Sequence, residues 1–340
     1  MRRRILAFTQ GDPAGIGPEV VLRALAARAP APELVPLVVA ERAALEAVRP
    51  LLAGFDFDRL TEVSSPERGA LLSLPDHSVA LVDPVAAPRE IEFGEPTAAD
   101  AHGAIAALDA GIDLARRGVA DALVTAPVSK AAIARHAQPG FVGHTDYLAR
   151  VFGLERYGRD YLMAFLAPQL QVALLSVHEP LARAVDRVTT GAIVDAALCL
   201  ERHAGGRLAI AGLNPHAGEG GLLGTEDEEI VRPAVARARE LGVDAHGPES
   251  ADSLFSRAAR GEFDWVLALY HDQGLIAVKT AAFGEATNWS VGLPILRTSV
   301  DHGTAYSIAG SGAADASPMS AVIETTLELL DGTLPRKRTR

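Results

Sequence analysis

Short apolar runs alternate along the chain with longer segments in which Ala and Leu recur at helical spacing. The runs that predict strands are RILAFTQ (4–10), VPLVVA (35–40), SVALVDP (78–84), DALVTAP (121–127), QVALLSV (171–177), RLAIAGLNP (207–215) and DWVLALYHD (264–272). The segments that predict helices include 17–29, 97–118, 192–206 and 226–242, and Pro233 should begin or kink the last of these. Such alternation is typical of βαβ units, so we expect a largely parallel sheet with helices on both faces.

Three of the predicted strands lead into a histidine, at His178, His216 and His271. The carboxyl ends of parallel strands meet at one edge of a sheet, and ligands bind there. Three imidazoles with an open fourth position suit a catalytic divalent ion such as Zn²⁺. Alternatively, each histidine is only hydrogen-bonded at a strand end. Asp272 and Glu219 lie beside these histidines, either as carboxylates that orient the rings or as caps.

A glycine-rich stretch, GDPAGIGPE (11–19), follows the first predicted strand and precedes a helix. It lacks the Gly-Lys-Ser/Thr ending of a P-loop and does not fit the G-x-G-x-x-G spacing. It is either a tight turn with Pro18 at the first helical position, or a loop whose backbone or Asp12 contacts a ligand. The second glycine-rich stretch, GEGGLLG (218–224), fits a dinucleotide fingerprint only loosely.

The segment VGLPILRTSVDHGTAYSIAGSG (291–312) is too rich in Gly, Ser, Thr and Asp to form a core element. It carries Arg297, Asp301 and His302. A guanidinium group such as that of Arg297 can hold a phosphate or carboxylate through two parallel hydrogen bonds. This segment therefore predicts a site for an anionic ligand.

Two further places could bind an anion. GHTDYLA (143–149) puts His144 and Thr145 at a predicted helix start, where Thr145 is either an N-cap or part of an anion site. Lys279, on a helical stretch after His271, either contacts a ligand or is a solvated helix end.

Composition narrows the class of protein. The chain has 340 residues, of which 49% are hydrophobic and 5% aromatic, so one large or two smaller α/β domains are expected. The formal net charge is -11, with no basic stripe among aromatics, so nucleic acid is not an expected partner. No apolar stretch reaches the ~18 residues of a membrane span, and Cys199 alone excludes a disulfide framework. We expect a soluble cytoplasmic protein.

Five segments together carry a family resemblance: TQGDPAGIGPE, GHTDYLA, NPHAGEGG, YHDQGLIAVK and GLPILRTSVDHGTAYSIAG. They resemble the motifs of the 4-hydroxythreonine-4-phosphate dehydrogenase family, in order and through nearly the whole chain. The resemblance implies the isocitrate/isopropylmalate dehydrogenase-like α/β fold, with two α/β/α subdomains and a cleft between them. Residues 1–127 with 285–340 would form the cofactor-side subdomain, and 128–284 the metal, substrate and dimerisation subdomain.

The resemblance also implies an activity. Members oxidise the 3-hydroxyl of 4-phosphohydroxy-L-threonine with NAD or NADP and one divalent metal ion (Zn, Mg or Co). The product loses CO₂ to give 3-amino-2-oxopropyl phosphate, on the route to pyridoxine 5′-phosphate. Members of the family form homodimers, with the active site at the subunit interface. Alternatives are the same chemistry on D-erythronate or D-threonate 4-phosphate or on a cyclic diene-diol carboxylate, and, from another class, a non-catalytic metabolite-binding protein.

Site residues follow from the matched motifs. The resemblance gives the metal ligands as His178, His216 and His271, and the substrate-binding residues as His144, Thr145, Lys279, Asn288 and Arg297. The stretch that resembles the superfamily's adenine-nucleotide loop gives the cofactor-binding residues as Asp301, His302, Gly303, Thr304 and Ala305. The base that takes the hydroxyl proton stays open among Lys279, Asp272 and a metal-bound hydroxide. The chain departs from the usual family pattern at TAPVSK (125–130), Glu179 and Trp289.

Overall fold

The computed structural model describes residues 3–28 and 33–334. The strands are β1 (Arg4–Thr9), β2 (Leu34–Val39), β3 (Leu60–Glu62), β4 (Val79–Val82), β5 (Ala122–Thr125), β6 (Leu162–Ala167), β7 (Leu170–Leu174), β8 (Leu208–Ala211), β9 (Ala245–Glu249), β10 (Trp265–Ala268), β11 (Thr287–Val291) and β12 (Leu296–Ser299). The α-helices are α1 (Gly17–Ala27), α2 (Arg42–Val48), α3 (Arg68–Leu72), α4 (Ala98–Arg116), α5 (Lys130–His136), α6 (His144–Val151), α7 (Leu181–Asp186), α8 (Thr190–His203), α9 (Arg232–Glu240), α10 (Ala251–Ala259), α11 (His271–Ala281) and α12 (Ser317–Leu330). Each of the seven predicted strand segments overlaps one of these strands.

The chain forms two compact units. The first comprises Met1–Leu148 and Pro294–Gly332, and the second comprises Ala149–Leu293. The expected subdomains divide after residues 127 and 284, and the compact units after residues 148 and 293. Helix α5, which packs against α4, lies in the first unit. The end of the expected cofactor-side subdomain, residues 335–340, lies outside the described residues.

The sheet of the first unit is parallel throughout, in the order β3-β4-β2-β1-β5-β12. Helices cover both faces of its central strand, β1. Phe8 packs with Val20 of α1 and Met319 of α12 in one buried cluster. On the other face α4 approaches so closely that a Cβ on Gly111 would lie 2.9 Å from Cγ2 of Thr9. This arrangement confirms the parallel sheet with two covered faces that the sequence predicts.

The connections of this sheet mark a ligand-binding edge. The chain runs from β1 to β2 on one side and later enters β5 on the other side of β1. Where the strand order reverses in this way, a crevice opens outside the carboxyl ends of the two strands. The residues that follow β1 and β5 therefore occupy the position in the first unit that best suits a ligand.

The second unit has the strand order β11-β6-β7-β10-β8-β9, in which β6 is antiparallel to both β11 and β7. The strands β7, β10, β8 and β9 are parallel. The strands that lead into His178, His271 and His216 are β7, β10 and β8, which are direct neighbours. Their carboxyl ends therefore share one edge, as the sequence predicts.

Two further expectations can be compared with the described residues. The helix that contains Pro233, α9, begins at Arg232, so the proline lies in its first turn as expected. A π-helical turn, Asp227–Val231, precedes it. Among the described residues, no helix is both long and apolar enough to span a membrane.

Candidate active site

In the first unit, the glycine-rich loop after β1 packs against the segment 301–306. The backbone N–H of Ile16 donates to the carbonyl of Thr304 at 3.0 Å. A Cβ on Gly15 would lie 2.8 Å from that same carbonyl oxygen, so only glycine allows this approach. The Tyr306 hydroxyl donates to Oδ2 of Asp12 at 2.6 Å. The loop is thus more than a tight turn, because it fixes the segment predicted to bind the nucleotide.

Asp12 is almost fully buried, with 1% of its surface exposed. Its Oδ1 accepts a hydrogen bond from the backbone N–H of Ala14 at 2.9 Å. Burial raises the pKa of Asp12 above its ordinary value. Burial, followed by the hydrogen bond to Asp12, raises the pKa of Tyr306 to about 12. The tyrosine therefore keeps its proton at neutral pH and acts as the donor of the pair.

The predicted nucleotide-binding residues form a bend that is half-buried except at Gly303. Nδ1 of His302 lies 3.0 Å from the carbonyl oxygen of Gly303. Nε2 of His302 is buried and has no hydrogen-bond partner among the described residues. Gly303 is exposed, and a Cβ there would meet open space, whereas Ala305 has a left-handed backbone with φ of 47°. The turn therefore has room on its outer side for a ligand. Asp301 is half-buried.

Arg297 lies on β12 and is only 2% exposed. Its Nε and Nη2 both donate to Oγ1 of Thr125, at 3.2 and 2.5 Å, and its Nη1 lies 3.5 Å from Oγ1 of Thr145. Burial lowers the pKa of Arg297 to about 9. Because this pKa is still above neutral pH, the Arg297 guanidinium stays protonated. Two threonine hydroxyls therefore contact a buried cation.

His144 is the first residue of α6 and lies beside this cation. Its Nε2 is buried and has no hydrogen-bond partner among the described residues. Burial, and then the positive charges of Arg297 and Lys130, lower the pKa of His144 well below its ordinary value. The imidazole is therefore neutral at physiological pH. The structure thus brings together His144, Thr145 and Arg297, as the sequence predicts, and adds Thr125 and Lys130.

In the second unit, two of the predicted metal ligands face each other. The ring centroids of His178 and His271 are 5.3 Å apart. Nδ1 of His271 lies 2.7 Å from Oδ1 of Asp272, a side chain that is 74% exposed. A metal-binding histidine commonly donates its other ring N–H to a carboxylate, which fixes the tautomer. This hydrogen bond leaves Nε2 of His271 available as a ligand atom.

The third predicted ligand, His216, lies on an unusual turn. All five residues from His216 to Gly220 have left-handed backbone angles, with φ of 53° at His216. Its side chain is 58% exposed, and its Nδ1 lies 3.8 Å from Oδ2 of Asp252. The buried carboxylate of Asp227 accepts hydrogen bonds from the backbone N–H groups of the two residues at 213 and 214, just before the turn. Sequence reasoning did not identify this carboxylate.

The three histidines fit a divalent ion by donor chemistry, but the described residues contain no group of three or more His, Cys, Asp or Glu placed to bind one. Imidazole nitrogens with neighbouring carboxylates are what Zn²⁺ and similar ions require. Two of the three predicted ligands are therefore brought together. His216 shares their sheet edge without joining them.

The remaining predicted residues also belong to the second unit. Lys279 is exposed in the last turn of α11. Asn288 lies on β11, and its Oδ1 is buried with no hydrogen-bond partner among the described residues. Glu179, one of the three departures, accepts a 2.6 Å hydrogen bond from Nε of Arg187. A second departure, Trp289, is 8% exposed, with its ring centroid 6.3 Å from that of another buried tryptophan. These two departures thus make contacts within the second unit.

Comparison with known proteins shows which family the chain belongs to. The model of the family described as pyridoxal phosphate biosynthetic protein PdxA matches residues 33–326. The chain belongs to this family. A curated relative, 4-hydroxythreonine-4-phosphate dehydrogenase from Burkholderia vietnamiensis, is 40% identical over 95% of this chain and 96% of its own length. D-threonate 4-phosphate dehydrogenase from Salmonella typhimurium is 35% identical over 97% of this chain and 100% of its own length.

A solved crystal structure of a similar enzyme supports the same family and fold. The 1.25 Å crystal structure of 4-hydroxythreonine-4-phosphate dehydrogenase from Klebsiella pneumoniae has a TM-score of 0.85 and 33% identity to this family member. The similarity covers 96% of this chain and 99% of that one. The expected α/β dehydrogenase fold is therefore confirmed.

Proposed function

We propose that the protein oxidises 4-phosphohydroxy-L-threonine at its 3-hydroxyl, with NAD or NADP as the hydride acceptor. The β-keto acid formed loses CO₂ and gives 3-amino-2-oxopropyl phosphate, a precursor of pyridoxine 5′-phosphate. The observation that carries this proposal is the buried Arg297 cation, held by two threonine hydroxyls beside His144. Family membership supplies the reaction type, and this cluster supplies the reason for a phosphorylated substrate.

The Arg297 cluster suits a phosphate better than a neutral group. Arginine binds phosphate oxygens through paired N–H donors, and threonine hydroxyls add further donors. A neutral imidazole can donate one more hydrogen bond from Nε2 when its proton is on that nitrogen. His144, Thr145 and Arg297 therefore provide the positive charge and donors that a phosphate monoester needs.

We infer that residues 301–305 bind the adenine-nucleotide part of the cofactor. The contacts of Ile16 and Asp12 with this segment support the inference, because they hold it in one conformation. A segment that is fixed before the ligand arrives loses less conformational entropy on binding.

The histidines of the second unit are the proposed metal ligands. His178 and His271 would hold the ion together with His216, and Asp272 would orient His271 through the 2.7 Å hydrogen bond. When bound, a divalent ion polarises an alcohol or carbonyl oxygen as a Lewis acid. The hydrogen bond favours an orienting role for Asp272, which leaves Lys279 as the better candidate for the base among the side chains. Asn288 and Lys279 are the remaining proposed substrate-binding residues.

In the proposed reaction the hydroxyl proton passes to the base while the hydride on C3 passes to C4 of the nicotinamide. The alcohol is oxidised and the cofactor is reduced, so electrons balance. Loss of CO₂ from the carboxylate then leaves an enolate, which takes up one proton on carbon to become the ketone. We further propose that the protein works as a homodimer, as the family resemblance implies.

The decisive experiment measures NADH or NADPH formation by purified protein supplied with a divalent ion. The substrates are 4-phosphohydroxy-L-threonine and 4-hydroxythreonine, which differ only in the phosphate. Loss of two or three hydrogen bonds to a charged group should lower kcat/KM by about a hundredfold or more. Equal rates with and without phosphate would refute the phosphate site. They would favour a cyclic diol, which lacks a phosphate.

A second candidate substrate, D-threonate 4-phosphate, is favoured by the similarity to the Salmonella typhimurium enzyme. It carries a hydroxyl where 4-phosphohydroxy-L-threonine carries an amino group, and both contain the phosphate. The same assay with D-threonate and D-erythronate 4-phosphates separates the two. A strong preference for either sugar acid would keep the phosphate site and reject the role in pyridoxine biosynthesis.

A further inference from the structure

Lys130 is the first residue of α5 and follows the loop that leaves β5. This position lies at the carboxyl ends of β1 and β5, where the strand order of the first unit reverses. The preceding residue, Ser129, caps the helix by accepting a hydrogen bond from the N–H of Ala132 at 3.2 Å. The backbone around Lys130 is therefore fixed, while its side chain is exposed.

The charge of Lys130 has no evident structural purpose. A cation at a helix N-terminus is disfavoured by the helix dipole, and the first turn of α5 contains no acidic residue to offset it. Within residues 3–28 and 33–334, no carboxylate pairs with this ammonium group. The chain nevertheless has a net charge of -11 and many arginine–carboxylate pairs.

Lysine is also rare in this sequence. It occurs only at Lys130, Lys279 and Lys337, although Lys and Arg together number 32. Arginine is therefore the usual surface cation here. Two of the three lysines stand where a ligand is expected, one in each unit.

The Lys130 side chain is directed toward the Arg297 cluster. A Cβ on Gly143 would lie 3.4 Å from Cε and 3.7 Å from Nζ of Lys130, so the lysine stem lies over the residue just before His144. The charges of Lys130 and Arg297 both act on the imidazole of His144. Nε2 of His144, which is buried and has no hydrogen-bond partner within the described residues, therefore belongs to an imidazole that feels both an exposed ammonium and a buried guanidinium.

We propose that Lys130 is a second phosphate-binding cation, which contacts the phosphate from the solvent side while Arg297 contacts it from the buried side. This inference rests on the proposed phosphorylated substrate. A phosphate monoester carries a charge of roughly -1.5 to -2 at neutral pH, so one guanidinium alone leaves it only partly neutralised. Lys130, as a compact point charge on a flexible stem, can follow the phosphate as it enters.

The test uses inorganic phosphate as the probe, titrated into the purified full chain by calorimetry. Lys130→Met should weaken phosphate binding about tenfold or more, because it removes a charge-assisted hydrogen bond. Lys130→Arg should retain most of the affinity. Arg135→Met is the matched control, since it removes a cation from an exposed position on the same helix and should leave phosphate binding unchanged.

The inference is overturned if Lys130→Met binds phosphate as the wild type does, if Arg135→Met weakens binding equally, or if the wild type does not bind phosphate. Its failure is distinct from failure of the proposed function. If the wild type turns over 4-phosphohydroxy-L-threonine and Lys130→Met keeps the same KM and phosphate affinity, only the role of Lys130 is refuted. Phosphate binding that depends on Lys130, without turnover of that substrate, would refute only the function.

Discussion

Cys199 has no exposed surface and lies on the buried side of α8. Burial raises the pKa of its thiol from 9.0 to about 11. Both the unfolded and the folded pKa of the thiol lie above neutral pH, so the thiol is protonated in both states there and does not change the free energy of unfolding. It opposes folding only as the pH rises above 9.0 and the unfolded chain begins to ionise.

We therefore expect Cys199 to be inert toward a thiol reagent in the native protein at neutral pH. The thiolate is the reactive form, and at that pH almost none is present or accessible. The measurement is the rate of labelling with a chromogenic disulfide, with and without denaturant. Rapid stoichiometric labelling of the folded protein would contradict the buried position of this residue.

Asp272 is predicted to set the tautomer of His271 rather than to act as the base. Asp272→Asn should lower metal affinity about 10–100-fold, the usual effect of losing a carboxylate that orients a metal-binding histidine. Competition with a chromophoric zinc chelator measures the affinity directly. Asp186→Asn, on the exposed face of α7 in the same unit, is the control. Unchanged zinc affinity in Asp272→Asn would assign this carboxylate another role.

A buried ionic network links two elements of the first unit. Arg89 donates from Nε and Nη2 to the Glu41 carboxylate, at 2.6 and 2.9 Å, and from Nη1 to Oδ1 of Asp100 at 2.7 Å. Glu41 and Asp100 are each 1% exposed. Glu41 lies just beyond β2, and Asp100 belongs to the capping box that begins α4. Arg89 therefore connects the end of a strand to the start of a helix.

Arg89→Met should cost about 3–5 kcal/mol of unfolding free energy, because it leaves two buried carboxylates without their cation. Urea denaturation of the purified variant measures this. The matched control is Arg42→Met, whose partner Glu62 has a side chain that is 60% exposed. Its ion pair should be worth about 0–1 kcal/mol. Similar losses in both variants would show that burial does not decide the strength of the Arg89 network.

The hydropathy pattern predicts the strands that stand alone as apolar runs between turns. It does not predict β6, because only residues 168 and 169 separate it from β7 and the hairpin reads as one apolar stretch. It also misses β3, β9, β11 and β12, which are short and contain polar residues. Arg297 shows why: a fully buried arginine on β12 contradicts the apolar pattern of a core strand.

The sequence predicted the residues of the candidate site that lie in recognisable motifs. His144, Thr145 and Arg297 meet as the resemblance implies, whereas Thr125 reads simply as the end of an apolar strand. Besides its place at the end of TAPVSK (125–130), Lys130 left one signal, which is the scarcity of lysine in the chain. The left-handed turn that carries His216 could not be predicted, because sequence periodicity carries no information on such a backbone.

The second unit exposes large apolar side chains that a monomer would leave in water. Phe283 is 85% exposed, Leu222 82% and Ile276 66%. We take these side chains as candidate contacts of the proposed homodimer, because apolar groups that adjoin on a surface mark an association site. Light scattering should therefore give a mass close to twice 35.6 kDa, and Phe283→Glu should shift the protein toward the monomer. A monomeric wild type at assay concentration would refute the proposed homodimer.

The left-handed turn at 216–220 has a consequence for how freely these positions tolerate substitution. His216, Ala217 and Glu219 all have side chains in a conformation that costs about 1–2 kcal/mol for each L-residue. Glycine would relieve that cost at each of them. Scored by cellular abundance, glycine should therefore be the favoured residue at Ala217 and at His216. Scored by turnover, the preference at His216 should reverse if its imidazole is the metal ligand proposed above. A position where abundance favours glycine and turnover favours another residue is one whose side chain serves activity at the expense of stability.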